Sequence, residues 1–504
     1  MSLLIRGATI LAVGGETGLV PFTGDMRVEG DRIAAIGPTI AAAPGDVVID
    51  GTDRLVMPGL VNAHLHSGEG LFKGRYDNMP LEIWMLFAYP ILGATPVSER
   101  LVYLRTMLAA AEGLRTGSTC HTDDIFEAPS QDLARLGQVF AAYRDVGMRA
   151  TISGHVIDKN FLDTIPFARE TVPADLQREV EANPVPKVAE YMAFAREAFS
   201  RFHGMEGRLN FMMAPSAPQR CTAELMLAVD EHARATRTPL HTHIVETKVQ
   251  GVTGPVMYGK TLIEYMADIG VLHPGVTIAH AIWVTDNDIR LLGEAGANTV
   301  HNNISNQKLG AGISPVKRLA AAGVNVALGS DGISTNDTPR MFDVMHAAGL
   351  LHNIGTPDYA RWLTAGEVIR MATINGAKSA LIDHETGTLE VGKKADFLVI
   401  DMRTANFTPR HDILNHLVYC ENGSSIEKIY VNGDLVMENG RLTKVDEAAL
   451  LAELRELVPE YLAQHERTEA INRRFYPYFD AIHRRANAMD IGIHRLGTEP
   501  AFDT

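Results

Sequence analysis

The chain has 504 residues, 46% hydrophobic and 21% charged, which predicts a water-soluble globular protein too long for one ordinary domain. Its formal charge of −15 comes without any Lys/Arg block, which disfavours nucleic acid or an anionic membrane as a partner. Cys120, Cys221 and Cys420 lie too far apart for a Cys-x-x-Cys clamp and fit a reducing cytoplasm, and no apolar run of about 20 residues predicts a membrane span.

Residues 1–57 read as short strands: "LLIRGATIL", "DMRVEGDRIAAIG" and "DVVIDGTDRLVMPG" mix β-branched residues with Gly and Asp turns. The N-terminus lacks a basic stretch before an uninterrupted apolar core, so it reads as a strand rather than a signal peptide. From residue 58 strand-like and helix-like segments alternate. "LVNAHLH" is followed by the helix "VSERLVYLRTMLAAAEGLRTG", with Gly117 as its stop. Then come strand "STCHTDD", helix "SQDLARLGQVFAAYRDVG" and strands "MRATISGHV" and "RLNFMMAP". Helix "TAELMLAVDEHARAT", strand "PLHTHIV", helix "TLIEYMADIG" and strand "VTIAHA" follow. Helix "DNDIRLLGEAG", strand "ANTVHN", helix "PVKRLAAAG" and strand "VNVALGSDG" complete eight strands.

That alternation predicts a (β/α)8 barrel over 58–385, an α/β fold that typically takes ~250 residues and grows through its loops. Strand texture returns at 386–445, in "GTLEVGKKADFLVIDM" and "SIEKIYVNGDLVMENGRL", so both chain ends are expected to build one small β-sandwich domain. Residues 446–504 read as a helical extension. Its apolar positions Leu451, Leu454, Leu457, Tyr461 and Phe475 cover either the barrel or a neighbouring subunit, with a homodimer or homotetramer expected.

The polar residues acquire meaning on this map. Nineteen histidines give about 0.7 His-x-His pairs by chance, and the chain has two, at His64/His66 and His241/His243. His64 and His66 close strand one, His243 strand five, His280 strand six and Asp331 strand eight. The carboxyl ends of barrel strands meet at one face, and residues two apart on a strand point the same way. Three imidazoles and a carboxylate converging there suit Zn2+ or Fe2+. Taken singly, His121, His155 and His241 read as polar strand-end residues, Asp331 as a turn aspartate and Glu246 as a helix cap.

"MPGLVNAHLH", "HTHIVET", "IAHAIWV", "SNQKLGAGISPV", "LGSDG" and "GTLEVGKKADFLVID" together resemble the amidohydrolase superfamily. The similarity is to its branch of S-adenosylhomocysteine/methylthioadenosine deaminases, guanine deaminases and atrazine chlorohydrolase. It implies one divalent metal, zinc or iron, held by His64, His66, His243 and Asp331. His243 is the implied ligand rather than His241 because the family glutamate follows its ligand by three. Strand four lacks the lysine that bridges two ions in two-metal relatives, which leaves His280 free to accept a proton. The implied reaction is hydrolytic deamination of an aminated N-heterocycle of purine, pterin, pyrimidine or triazine type. Asp331 and His280 take the proton of the attacking water, and Glu246 protonates a ring nitrogen.

Trp84, Ser216, Gln219 and Asn303 are expected to line the substrate pocket. The chain departs from the nucleoside deaminases of the branch, with apolar Leu92 near the place of a ribose-binding glutamate and Ser216 where they carry a histidine. "HNNISN" also lacks the proline usual after its first asparagine, which implies a differently shaped loop after strand seven. Two other functions fit the same residues. One is a hydrolase expelling chloride, an alkylamine or a urea amine, and the other a non-catalytic heterocycle-binding barrel.

Overall fold

The computed structural model describes residues 2–128 and 130–497. Eight parallel strands form the barrel: Leu60–His66, Ser118–Asp123, Arg149–Val156, Leu209–Pro215, Leu240–Ile244, Val276–His280, Asn298–His301 and an eighth in two pieces, Asn325–Leu328 and Asp331–Gly332. They are numbered one to eight below. The first piece of strand eight pairs with strand seven, and the second with strand one, placing Asp331 opposite Leu65 and Gly332 opposite His66. The break between the pieces thus closes the barrel. Asn62 spans it with two hydrogen bonds, donating from Nδ2 to Ser330 Oγ (2.7 Å) and accepting from Ser330 N (2.9 Å).

The alternation of a strand decides what enters the barrel. Val61 packs outward on Ala377 and Ala380, and Leu65 on Ala109 of the surrounding helices. Asn62, His64 and His66 therefore face inward. The outer helices match their sequence signals. Leu133–Val146 starts where the Asp132 side chain accepts from Arg135 N and stops at Gly147, whose φ of +81° suits glycine. Asp286–Ala295 opens with a Thr285/Asp288 capping box. Strand three departs from the simple alternation: Ala168–Thr171 and Ala174–Glu181 intervene before its helix Val188–Phe202.

Both chain ends build the second sheet, as expected. Its nine strands are continuously hydrogen-bonded, and Phe397–Asp401 runs antiparallel to Arg54–Pro58 where the two ends meet. Ile5, Ile10, Met26, Val56 and Val399 form its core, with Phe397 and Tyr430 stacked at 4.6 Å. Arg149, at the start of strand three, fastens this sheet to the barrel through a buried ion pair with Asp396 (2.6 Å).

The helical extension covers this chain's own barrel rim. In Glu447–Asn472, Leu454 and Tyr461 are buried, and Glu469 binds Arg75 (2.9 Å) and Tyr76 Oη (2.7 Å). Asn472 holds the backbone of Leu92 from both sides. Tyr476–Ala488 packs on Leu81–Ala88, and Arg495 donates to Ile282 O and Val284 O. No helix among the described residues is long and apolar enough to cross a membrane.

Candidate metal centre

The strand ends meet as a knot of imidazoles and carboxylates. His66 Nε2 lies 3.3 Å from His243 Nε2 and 3.5 Å from Asp331 Oδ1, and His64 Nε2 lies 3.4 Å from the same oxygen. His280 Nε2 stands 3.7 Å from Asp331 Oδ2 and 3.6 Å from Glu246 Oε2. The backbone is bent sharply to bring these groups together. Val245, His280, Ala281 and Asp331 all adopt positive φ, between 45° and 77°, at the ends of strands five, six and eight. Such conformations cost ~1–3 kcal/mol each and persist only where surrounding bonds hold them. Here Trp283 N donates to Val245 O (3.0 Å), and Gly332 N to Asp331 Oδ1 (2.8 Å).

Each imidazole is oriented through its other nitrogen. His66 Nδ1–H donates to Asp124 O (2.7 Å), His243 Nδ1–H to Ser216 O (3.0 Å) and His280 Nδ1–H to Asn306 Oδ1 (3.0 Å). His64 Nδ1 meets His241 Nε2 at 2.8 Å, one layer deeper in the barrel. Protons on the Nδ1 atoms leave the Nε2 lone pairs aimed at the common centre.

These groups fit one divalent ion. Two ligands about 2.05 Å from a tetrahedral centre stand ~3.3–3.4 Å apart, the spacing found among His66, His243, His64 and Asp331. His64 Nε2 is buried without a hydrogen-bond partner among the described residues, so an ion between these groups would satisfy it. The field also favours a cation. Burial alone would push His66 down, yet the Glu69, Asp124 and Asp331 carboxylates outweigh it and hold this imidazole up at about 9. Burial keeps His64 down at about 4 and His241 at about 3, so both are neutral. A further group, Asp124, His155 and His243, is already engaged: Asp124 accepts from Ser153 Oγ (2.5 Å) and His155 Nδ1 (2.8 Å).

Above the knot lies a cavity of about 70 Å3, lined by His66, His243, Glu246, His280, Asp331 and apolar walls that include Met85, Phe126 and Leu309. Met85, Tyr89, Phe126 and Ile157 also line an outer vestibule of about 350 Å3, to which the extension contributes Tyr461 and His465. Glu246 is not the cap of the next helix; Thr247 caps Lys248–Thr253, and Glu246 is left facing the cavity. Burial, reinforced by Asp331, raises the Glu246 carboxyl well above the usual range and so favours its protonated form.

Residues 55–436 match the amidohydrolase family. The chain belongs to that family. It is 32% identical over 463 residues to the 5'-deoxyadenosine deaminase of Methanosarcina barkeri, covering 92% of this chain and 99% of that protein. It is also 32% identical to the 5-methylthioadenosine/S-adenosylhomocysteine deaminase of Thermoanaerobacter pseudethanolicus, covering 88% and 96%. The structure of an adenosine deaminase from Xanthomonas campestris with bound zinc superposes with a TM-score of 0.79 at 26% identity, covering 92% of this chain and 98% of that one. Atrazine chlorohydrolase from Arthrobacter aurescens, complexed with zinc, shares the fold (TM-score 0.82, 22% identity, 91% and 100% covered).

Within this amidohydrolase, Trp84 lines the cavity, whereas Ser216, Gln219 and Asn303 are buried and do not. Ser216 instead orients His243 through its carbonyl, and Asn303 Nδ2 donates to Val344 O (3.0 Å). His121 is a buried strand residue, while His155 reaches the cavity. Sequence reading passed over Glu69, Arg220 and Asn306. Only Asn306 left a signal, the asparagine-rich "HNNISN", whose short helix Asn303–Lys308 turns the Asn306 amide toward His280.

Proposed function

We propose that this amidohydrolase removes an amino group from an N-heterocycle by hydrolysis, releasing ammonia. His64, His66, His243 and Asp331 hold one zinc ion in this reading, with iron as the other candidate. When bound, the ion supplies Lewis acidity that lowers the pKa of water toward roughly 7. Asp331 and His280, 3.7 Å apart at the cavity floor, accept the proton of the attacking water. The apolar walls hold a flat ring and exclude bulk solvent. Glu246 delivers its proton to a ring nitrogen, drawing electrons from the carbon under attack, and the amine then leaves protonated.

The observation that carries this reading is the buried Glu246 carboxyl, 3.6 Å from His280 beside the ligand cluster, where burial favours its protonated form. A carboxylic acid held neutral beside a water-activating centre is what ring protonation needs, and such assistance is worth ~10²–10⁴-fold. The two adenosine-type deaminases, each 32% identical over most of their length, support the same chemistry. Amino-purines, adenosine-type nucleosides, pterins, pyrimidines and triazines should be screened for release of ammonia, with chloride and alkylamine measured in parallel. Ammonia from at least one ring class is expected; chloride or alkylamine alone would replace deamination by the other hydrolysis. A homodimer or homotetramer is part of the proposal. Exposed Leu350, Ile354 and Tyr359 lie close together in sequence on and after Met341–Gly355, and light scattering should give a mass above one chain.

A further inference from the structure

The loop after strand four carries a cation that the reaction above does not use. Arg220 lines the cavity, and its guanidinium takes part in no ion pair among the described residues. Its protein bonds are weak: Nη2–H points to the Met85 thioether at 3.1 Å, and Nη1–H reaches Ser216 Oγ at 3.4 Å. A guanidinium has five donors and stays charged at any physiological pH, so three donors here have no protein acceptor among the described residues. Arg220 is part-buried, so its guanidinium is partly withdrawn from water without an ionic partner, which carries a cost. Burial disfavours the charged form, and no carboxylate among the described residues pairs with it.

A second unpartnered donor belongs to a residue of the same cavity: Trp84 lines it, and its Nε1–H is buried with no partner among the described residues. An indole N–H and a planar guanidinium fork from two lining residues need acceptors that the described residues do not supply. Around them the cavity is apolar, with Leu81, Met85, Phe126, Ile157 and Leu309, which suits a flat ring rather than water. The acidic groups, Glu69, Glu246 and Asp331, line the same cavity, so Arg220 is where an anion finds its complement.

We propose that Arg220, aided by Trp84, selects heterocycles carrying an anionic oxygen substituent, a ring carboxylate or a deprotonated ring oxygen. This rests on the deaminase reading for the identity of the ring. A carboxylate meets the guanidinium fork with two parallel bonds and supplies the missing counter-charge. A neutral ring leaves that charge unpaired in the closed site. The same contact fixes which ring edge is turned toward Glu246 and His280.

The test compares ring-matched ligands on the zinc-loaded full chain. Pterin and pterin-6-carboxylate, and cytosine and 5-carboxycytosine, serve as substrates. Lumazine and lumazine-6-carboxylate, which have no amine to lose, serve as binding probes by calorimetry. Lumazine at raised pH, read by calorimetric binding alone, gives the deprotonated-oxygen arm. In the unmodified protein an anionic member of a pair should bind or react about 10–100-fold better than its neutral form, the scale of a hydrogen-bonded charge pair. Arg220→Met should reduce that preference to within about threefold, and Arg220→Lys should keep part of it. Equal binding of neutral and anionic members, no binding of any anionic member, or a preference that survives Arg220→Met overturns the proposal. The two readings fail separately. Ammonia from neutral rings without an anion preference leaves deamination standing and removes this inference. Arg220-dependent binding of the lumazine carboxylate without ammonia from any amine does the reverse.

Discussion

At the scale of single residues, the two histidines and the glutamate of "HTHIVET" separate by position. His243 aims Nε2 at His66 Nε2 3.3 Å away, while His241 lies deeper and supports His64 from 2.8 Å. His243→Ala should therefore lose zinc and activity together. His241→Ala should keep a zinc site, with affinity lowered ~10–100-fold as for other partners that orient a ligand. Metal titration followed by elemental analysis checks both, and equal zinc loss in the two variants would contradict the division of roles. Glu246→Gln keeps shape and hydrogen bonding but cannot deliver a proton, so kcat should fall ~10²-fold or more with zinc retained. The pH dependence follows from the sign of the shift. A carboxyl held well above its usual range is protonated below its pKa and loses the proton as pH rises through it. The kcat/KM of the unmodified enzyme should fall on that alkaline side, and the Glu246→Gln profile should lack the limb. Spacing in the chain pointed to these residues because two-residue periodicity and strand ends are local properties. Arg220 and Glu69 carried no such signal, since only the folded loops bring them to the cavity.

At the scale of elements, the eight strands were legible because apolar runs alternate with helical periodicity and with turn residues. The way the barrel closes was not. "VNVALGSDG" reads as one strand, yet it breaks at Gly329 and Ser330 so that its halves pair on opposite sides. The reason is steric as well as topological. A Cβ on Gly329 would lie 2.6 Å from Asn302 Oδ1 and 2.9 Å from His64 O, and one on Gly332 only 2.0 Å from Glu69 Oε2. The Glu69 carboxylate has little room to move, being held by Tyr89 Oη (2.7 Å) and Ser334 Oγ (2.7 Å). Gly332→Ala should thus displace Glu69 or the neighbouring Asp331, costing about 1–3 kcal/mol as overpacking does and weakening zinc binding. In a Glu69→Ala background the same substitution should cost much less. A double-mutant cycle by chemical denaturation measures this coupling, and strict additivity would show that the crowding has another source.

At the scale of the whole molecule, the barrel is clamped at both ends. Below, Arg149 and Asp396 are fully buried and join it to the sheet made from the two chain ends. Removing one member of such a pair costs ~3–5 kcal/mol where nothing replaces it, and here Glu385, 3.5 Å from Arg149 Nη1 and partly exposed, offsets only part of the loss. Asp396→Asn should show that loss in urea unfolding while kcat of the folded enzyme is preserved, because the pair lies at the opposite end from the reacting groups. A loss under about 1 kcal/mol would mean that the pair is not a clamp. Above, the extension after residue 446 caps the rim, and its contacts with Arg75, Tyr76 and Leu92 answer where its apolar face goes. The sequence left that choice open because an amphipathic helix carries no record of whose surface it covers. All these parts serve one claim, that a single ion held by His64, His66, His243 and Asp331 drives hydrolytic deamination. Zinc content and ammonia release should be followed together through chelation and reconstitution of the purified chain. About one zinc per chain should be found, ammonia release should vanish with its removal, and both should return together when zinc is restored. Undiminished ammonia release from the metal-free chain would contradict the account.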